Sequence, residues 1–216
     1  MSQTATTSKR KSRPRWKRRK DARHGEIVAA ALELFVERGY EATKLADVAR
    51  RAGVTKGTLY LYFDSKEALF KAVVRETIVP VIVQGEALAQ SFTGSASELL
   101  EQLVRQYWHL VGETSLAGIP KLMMAEAATF PELTRFYYEE VVTRGHRLMA
   151  GVIERGVKNG EFRPVDVMLA AKLAMSPLMH ATVARQAFAS CRPEGFDVRA
   201  YLNTHIDLYL HGIAKP

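Results

Sequence analysis

Residues 43–69, reading TKLADVARRAGVTKGTLYLYFDSKEAL, constrain this chain more than any other stretch, because they write out two short helices, a tight turn and the start of a third helix. Thr43 is expected to cap the first of these, its hydroxyl accepting from the free amides of the opening turn, and Leu45, Val48, Ala49 and Ala52 recur at helical spacing on one face. Gly53 ends that helix by supplying the left-handed backbone that a closing turn needs. Val54 then fills the space between the two helices. The second helix, Thr55 to Phe63, turns Leu59 and Phe63 inward. This is the pattern of a helix-turn-helix, a unit that docks on duplex DNA.

The front of the second helix carries the chemistry. Thr55, Lys56, Gly57 and Thr58 combine two hydroxyls and an ammonium with a residue that has no side chain to hold the backbone off, which suits insertion into a major groove. Tyr60 and Tyr62 lie off the inner face, where a phenol can donate to a phosphate oxygen. Ser65 is expected to cap the third helix, with Lys66 in its first turn beside amides that already favour an anion. The run ADVARRAGVTKGTLYLYFDSKEALF resembles the DNA-binding signature of TetR-type transcriptional regulators, preceded as in that family by an amphipathic helix ending in Gly39 and Tyr40. The resemblance covers residues 26–72 and implies DNA contacts from Thr43, Thr55, Lys56, Gly57, Thr58, Tyr60, Tyr62 and Lys66. Lys44, also counted among the expected contacts, departs from the pattern, since many members carry a second small hydroxyl residue there.

The formal charge of +8 has a particular location. Residues 1–25 hold ten of the 31 basic side chains against Asp21 alone, leaving 21 basic and 22 acidic residues, a net charge of −1, for the remainder. The basicity belongs to an arm, and such dense like charge predicts disorder over residues 1–23. Arg13, Arg15, Lys17, Arg18 and Arg19 would let this arm track phosphates or enter a narrow minor groove; a solvated tail is the plainer reading. One cysteine, Cys191, excludes an internal disulfide and a multi-cysteine metal cluster, and points to a reducing compartment. No apolar run is expected to approach the ~20 residues of a membrane span, and a cytoplasmic protein follows.

Beyond the motif the chain reads as all-α, about nine helices in total. The domain organisation is an arm (1–23), a three-helix DNA-binding bundle (24–72) and a helical effector-binding and dimerisation domain (73–216). The first helix spans about 26–38. The fourth runs from Ser65 to about Gln90, and Pro80 inside it predicts a kink or break near Val79. Further helices are expected over 98–111, 121–128 and 131–160, the last begun by Pro131. The phrase MMAEAATFPEL, from Met123 to Leu133, resembles the corresponding connection in AefR-type repressors. Helices over 165–189 and 196–213 close the chain. The first of these is apolar nearly all round and rich in alanine, so it needs cover from a second copy as a four-helix interface.

No metal-ligand spacing, phosphate-cradling glycine loop or nucleophile elbow is present, so no catalytic residue, metal or cofactor is assigned. Trp108, Met123, Phe136, Tyr137, His146, Met175, Met179 and His180 are the candidate lining of an effector pocket, because methionine adapts to irregular apolar shapes. The same stripe also reads as ordinary core; it is the family resemblance that implies a cavity. The sequence thus points to a homodimeric repressor that binds a palindromic operator in double-stranded DNA and is released by a small apolar effector. The alternative is a non-specific architectural DNA binder using the arm alone.

Overall fold

The structure, a computed structural model, describes residues 15–188, 191 and 197–215, with the side chains of 15–21 excepted. It has eleven α-helical segments: α1 (Arg15–Arg38), α2 (Leu45–Arg51), α3 (Lys56–Tyr60), α4 (Lys66–Thr77), α5 (Val79–Ser91), α6 (Ala96–Tyr107), α7 (Gly118–Glu126), α8 (Pro131–Tyr137), α9 (Arg144–Lys158), α10 (Val167–Ala187) and α11 (Val198–Ile213). Two wider π-helical turns, Trp108–Gly112 and Tyr138–Thr143, extend α6 and join α8 to α9. With α4–α5 and α8–α9 each taken as one rod, the described residues hold nine helices, as expected. Pro80 has the foreseen effect: α4 stops at Thr77 and α5 restarts at Val79, with the proline in its first turn.

The arm needs correction. Residues 15–23 continue α1 instead of being disordered. Lysine, arginine and alanine are good helix formers, and Arg23 pairs with Glu26 one turn on at 2.7 Å. Residues 1–14, Arg13 among them, lie outside the described residues, as does Phe196.

Two apolar cores organise the molecule. One joins α1–α4 to α7 and α8 through Leu34, Phe35, Phe70, Ile119, Met123 and Phe136. The other lies among α6, α9, α10 and α11, around Leu99, Trp108, Ile153 and Ala171. Tyr107 packs against both. The first core ties the DNA-binding bundle directly to the second domain, and α7 comes so close to α1 that a Cβ at Gly118 would lie 2.4 Å from Val36.

The length of α10 corrects the expectation about membranes. It has 21 residues, Val167–Ala187, and an 18-residue window within it has a mean hydropathy of 1.4, so it is long and apolar enough to cross a bilayer by length and composition alone. Instead, side chains spaced one turn apart on α11 hold its backbone: Tyr201 Oη donates to the Pro177 carbonyl (2.9 Å), Tyr209 Oη donates to that of Ala170 (2.8 Å), and His205 Nε2 is 2.9 Å from that of Ala174. Burial in this seam pushes the Tyr209 phenol up to about 12. The opposite side of the pair is open, with Leu169, Leu173 and Leu208 exposed.

Candidate DNA interface and effector region

The reading helix is short and firmly held. Thr55 Oγ1 accepts from the Thr58 amide at 3.1 Å, capping α3. Gly53, at φ +65°, closes the turn, and the Val54 amide donates to Ala49 at 2.9 Å. Val48, Ala49, Leu59 and Phe63 are buried beneath it. Everything else on this element faces out: Lys56, Gly57 and Tyr60 are exposed, Thr58 and Tyr62 half-buried, and Lys44 exposed just before α2. The Lys56 ammonium stands 5.8 Å from the Tyr60 ring. Tyr62 leans instead toward His24 of α1, whose ring is 6.0 Å away. Sequence reasoning overlooked Leu61, 82% exposed between the two tyrosines. Its signal was there to read, as it is an apolar residue two positions from each of the inward Leu59 and Phe63.

Thr43 is the clearest correction. The cap position of α2 is Lys44, and no side chain caps it. The Thr43 hydroxyl donates instead to the carbonyls of Gly39 (2.7 Å) and Leu34 (3.1 Å), and the side chain is buried. Its polar group is used to fix the turn after α1, which withdraws it from the outer surface. Lys66 is likewise turned inward: Nζ donates to the carbonyls of Tyr40 (2.8 Å) and Glu41 (3.0 Å) and lies 4.5 Å from the Tyr40 ring. Burial lowers its affinity for a proton, against the pull of Glu41 and Glu126. Ser65 caps α4 as expected, accepting from the Ala68 amide at 3.0 Å.

The same turn is gripped from the second domain. Glu126, the last residue of α7, accepts from the amides of Tyr40 (3.0 Å) and Glu41 (3.5 Å) through one carboxylate oxygen. The Tyr40 ring meets Phe130, just beyond α7, edge-on at 4.8 Å. A second link joins Arg75 of α4 to Glu140 at 2.9 Å. Helix α7 therefore touches the bundle with its end while its Ile119, Leu122 and Met123 lie in the first core.

The expected pocket residues do not gather about one cavity, which corrects that expectation. Met123, Phe136 and Tyr137 belong to the first core, while Trp108 and Met175 belong to the second. Met179 and His146 are half-buried, and His180 is exposed. Burial, with Lys172 nearby, lowers the His146 imidazole. The structure's described cavity is a surface groove of about 430 Å³, bordered by Lys71, Arg75, Arg135, Arg144 and Arg147 with carboxylates among them; Phe136 alone of the expected residues reaches it. Here the carboxylates already answer most of the cations, as in the paired Glu86–Arg144 contact, both distances 2.6 Å. Among the described residues no group of His, Cys, Asp and Glu could hold a metal ion.

The geometry is that of a preformed reading head on a helical body, and the comparisons agree. The family model described as bacterial regulatory proteins, tetR family, matches residues 27–73, and that for the AefR-like transcriptional repressor C-terminal domain matches residues 98–211. The transcriptional repressor KstR2 of Rhodococcus jostii (strain RHA1) is 30% identical over 199 residues, 91% of this chain and 94% of that one. The chain belongs to the tetR family. The fatty acid metabolism regulator of Bacillus subtilis (strain 168) is another relative, 25% identical over 91% of this chain and 98% of its own. The fold is shared with FadR from Bacillus subtilis, solved in complex with stearoyl-CoA, at a TM-score of 0.75 and 22% identity, covering 88% of this chain and 99% of that one. As a tetR-family member the chain is a sequence-specific DNA-binding transcriptional regulator of the repressor kind, responsive to a small molecule. Its relatives are regulators, not enzymes, and family membership lends the architectural alternative no support.

Proposed function

We propose that two copies of the chain, joined through α10 and α11, set their α3 helices in successive major grooves of a palindromic operator in the cytoplasm, and that an apolar small molecule taken up by the second domain releases them. Lys56, Gly57, Thr58, Tyr60 and Tyr62 make the contacts, with Lys44, Thr55 and the remaining proton of Lys66 on the phosphates. The observation that carries this reading is the surface of α3. Its Gly57 has negative φ and no neighbour nearer than 3.9 Å to an added Cβ, so nothing inside the protein requires a glycine there. A residue kept small toward the outside suits close approach by another molecule, as does Leu61 beside it, an apolar group of the kind that packs on a thymine methyl.

The open leucines of α10 and α11 support the two-fold pairing, since exposed apolar side chains in a row mark an interface. Helix α7 supports the response, because it joins the body's core to the turn that carries the reading head. An effector favouring the arrangement in which α7 has shifted weakens DNA binding, and DNA weakens effector binding by the same factor. The basic residues Arg13, Arg15, Lys17, Arg18 and Arg19 add phosphate contacts from the start of α1 and before it. Removing residues 1–20 is expected to flatten the salt dependence of DNA affinity by roughly one unit of log slope per lost contact; an unchanged slope would exclude that role. Selection of bound sites from random DNA tests the main reading. A symmetric consensus with half-sites about 34 Å apart or a multiple of it supports it, and recovery of unrelated sequences ends it.

A further inference from the structure

Trp108 is 1% exposed, and its Nε1 is the buried side-chain polar atom that, among the described residues, has no hydrogen-bond partner. A donor left in this condition costs the full desolvation of the group and calls for a physical reason. A trapped water is a poor remedy, since a buried water needs two to four polar partners and the residues around Trp108 form an apolar cluster.

The position of Trp108 in its helix adds a second observation. It is the first residue of a π-helical turn, and Tyr107 before it is the last residue of α6. The other π turn begins directly after Tyr137, the last residue of α8. Tyr107 packs against both cores and Tyr137 lies in the first, so both α-to-π junctions lie near where the two cores adjoin. Burial raises both phenols. Tyr107 Oη is 3.3 Å from Thr182 Oγ1 of α10. Gly112 completes the turn, and the Trp108 ring lies against it so closely that a Cβ there would come within 2.7 Å. Arg185 of α10 donates to the Gly112 carbonyl. π turns have a looser ladder than α-helix and recur at functional sites. Here one of them holds a spare donor.

We propose that the Trp108 indole N–H anchors the effector, an apolar molecule carrying a carbonyl oxygen, admitted by repacking of the two π turns at the seam between the cores. The acceptor arrives on an apolar body because the cluster packed around the Trp108 ring is apolar. This inference rests on the effector reading above.

The test uses the full chain, labelled with nitrogen-15, and a matched pair of probes, 2-undecanone and undecane. The ketone is expected to move the Trp108 indole proton downfield, the signal being assigned by its loss in Trp108→Phe, and to raise the melting temperature. Undecane, alike in shape but without the oxygen, is expected to bind about tenfold more weakly. In Trp108→Phe the two probes should bind equally. An unmoved indole signal, ketone binding that is undiminished in the variant, or no binding of the ketone at all would each overturn the anchor. Release of selected operator DNA separates the two readings: a ketone that releases wild type and Trp108→Phe alike sinks the anchor and leaves the effector reading. A ketone that shifts the indole yet leaves DNA bound sinks the effector reading and leaves the anchor.

Discussion

Each half of the molecule is built around a pair of tyrosines, and the pairs are used in opposite ways. Tyr60 and Tyr62 stand at the end of a helix that is capped and backed by a buried core, with their phenols turned toward the surface. Tyr107 and Tyr137 are enclosed where two cores meet, with their phenols held neutral by burial. The first pair needs no rearrangement to meet a partner. The second meets one only if helices separate. A reading head can be rigid because its ligand is rigid, while a sensor must give way so that occupancy is felt elsewhere. Between them runs α7, in the first core along its length and on the Tyr40 turn at its end.

The largest expected effect breaks the comparison at the level of assembly. Replacing Leu169 and Leu173 together by Asp places two charges on the open face of α10 without disturbing either core. Sedimentation should show a monomer at micromolar concentration, and operator binding should vanish at concentrations where the wild type saturates it, as one reading head is lost. A dimer that survives the double substitution would move the interface elsewhere. Next in size are Lys56→Ala and Tyr60→Ala, each expected to cost about 1–3 kcal/mol of operator affinity, roughly five- to 150-fold. Melting temperatures should stay unchanged, because both side chains project outward. Equal loss on random DNA would show that these residues hold phosphates only.

Glu126→Ala addresses the link between the halves. It leaves the Tyr40 amide without its acceptor, a loss on the order of 1 kcal/mol at a partly buried site. Operator affinity is expected to change modestly, while the response to effector shrinks, since the grip of α7 on the turn has loosened. Effector response at full strength would shift the coupling to Arg75 and Glu140. Thr43→Val should then separate architecture from recognition. The substitution keeps the shape but removes two hydrogen bonds to the turn, so a loss of about 1–2 kcal/mol in stability is expected by chemical denaturation. Operator affinity per folded molecule should be nearly preserved.

The two halves also differ in how much the sequence disclosed. The helix-turn-helix was legible down to the left-handed Gly53 and the cap at Ser65, because both are decided by residues within a few positions of each other. Thr43 misled for the same local reason: a threonine before a helix reads as a cap, while its hydroxyl is taken by carbonyls of the preceding helix and turn, at Leu34 and Gly39. In the second domain helix existence was legible and packing was not. His180 and Trp108 both read as pocket-lining, yet one faces solvent and the other is enclosed, and only the pairing of α10 with α9 and α11 decides which. The π turns left no sequence signal, since an extra residue per turn follows from tertiary fit and not from propensity. The arm misled because charge density was weighed above the helix-forming tendency of the same lysines and arginines.

The smallest expected effect is on pH dependence, and it too falls on the sensing half. Burial lowers the His205 imidazole below 6.5, the Ala174 carbonyl opposing, and His146 is lowered by burial and by Lys172. A ring that resists protonation in the folded chain but accepts it freely when unfolded adds stability that is fully present above about 6.5 and is lost as pH falls from there toward the folded-state value. The carboxylates of Glu86, Glu98 and Glu37 shift the same way, held low by Arg144, by Ser95 and by Arg51 with Arg38. Their contribution is present above about 4.5 and is lost below it. Melting temperature is therefore expected to be level from pH 8 to 7, to fall gently below about 6.5 and to fall again below about 4.5. His205→Gln, which keeps a donor for the Ala174 carbonyl, should remove much of the first step and leave the second. Should both His205→Gln and His146→Gln leave the first step whole, the titrating groups would lie outside the α10 seam, and the enclosed half would be no more sensitive to protons than the open one.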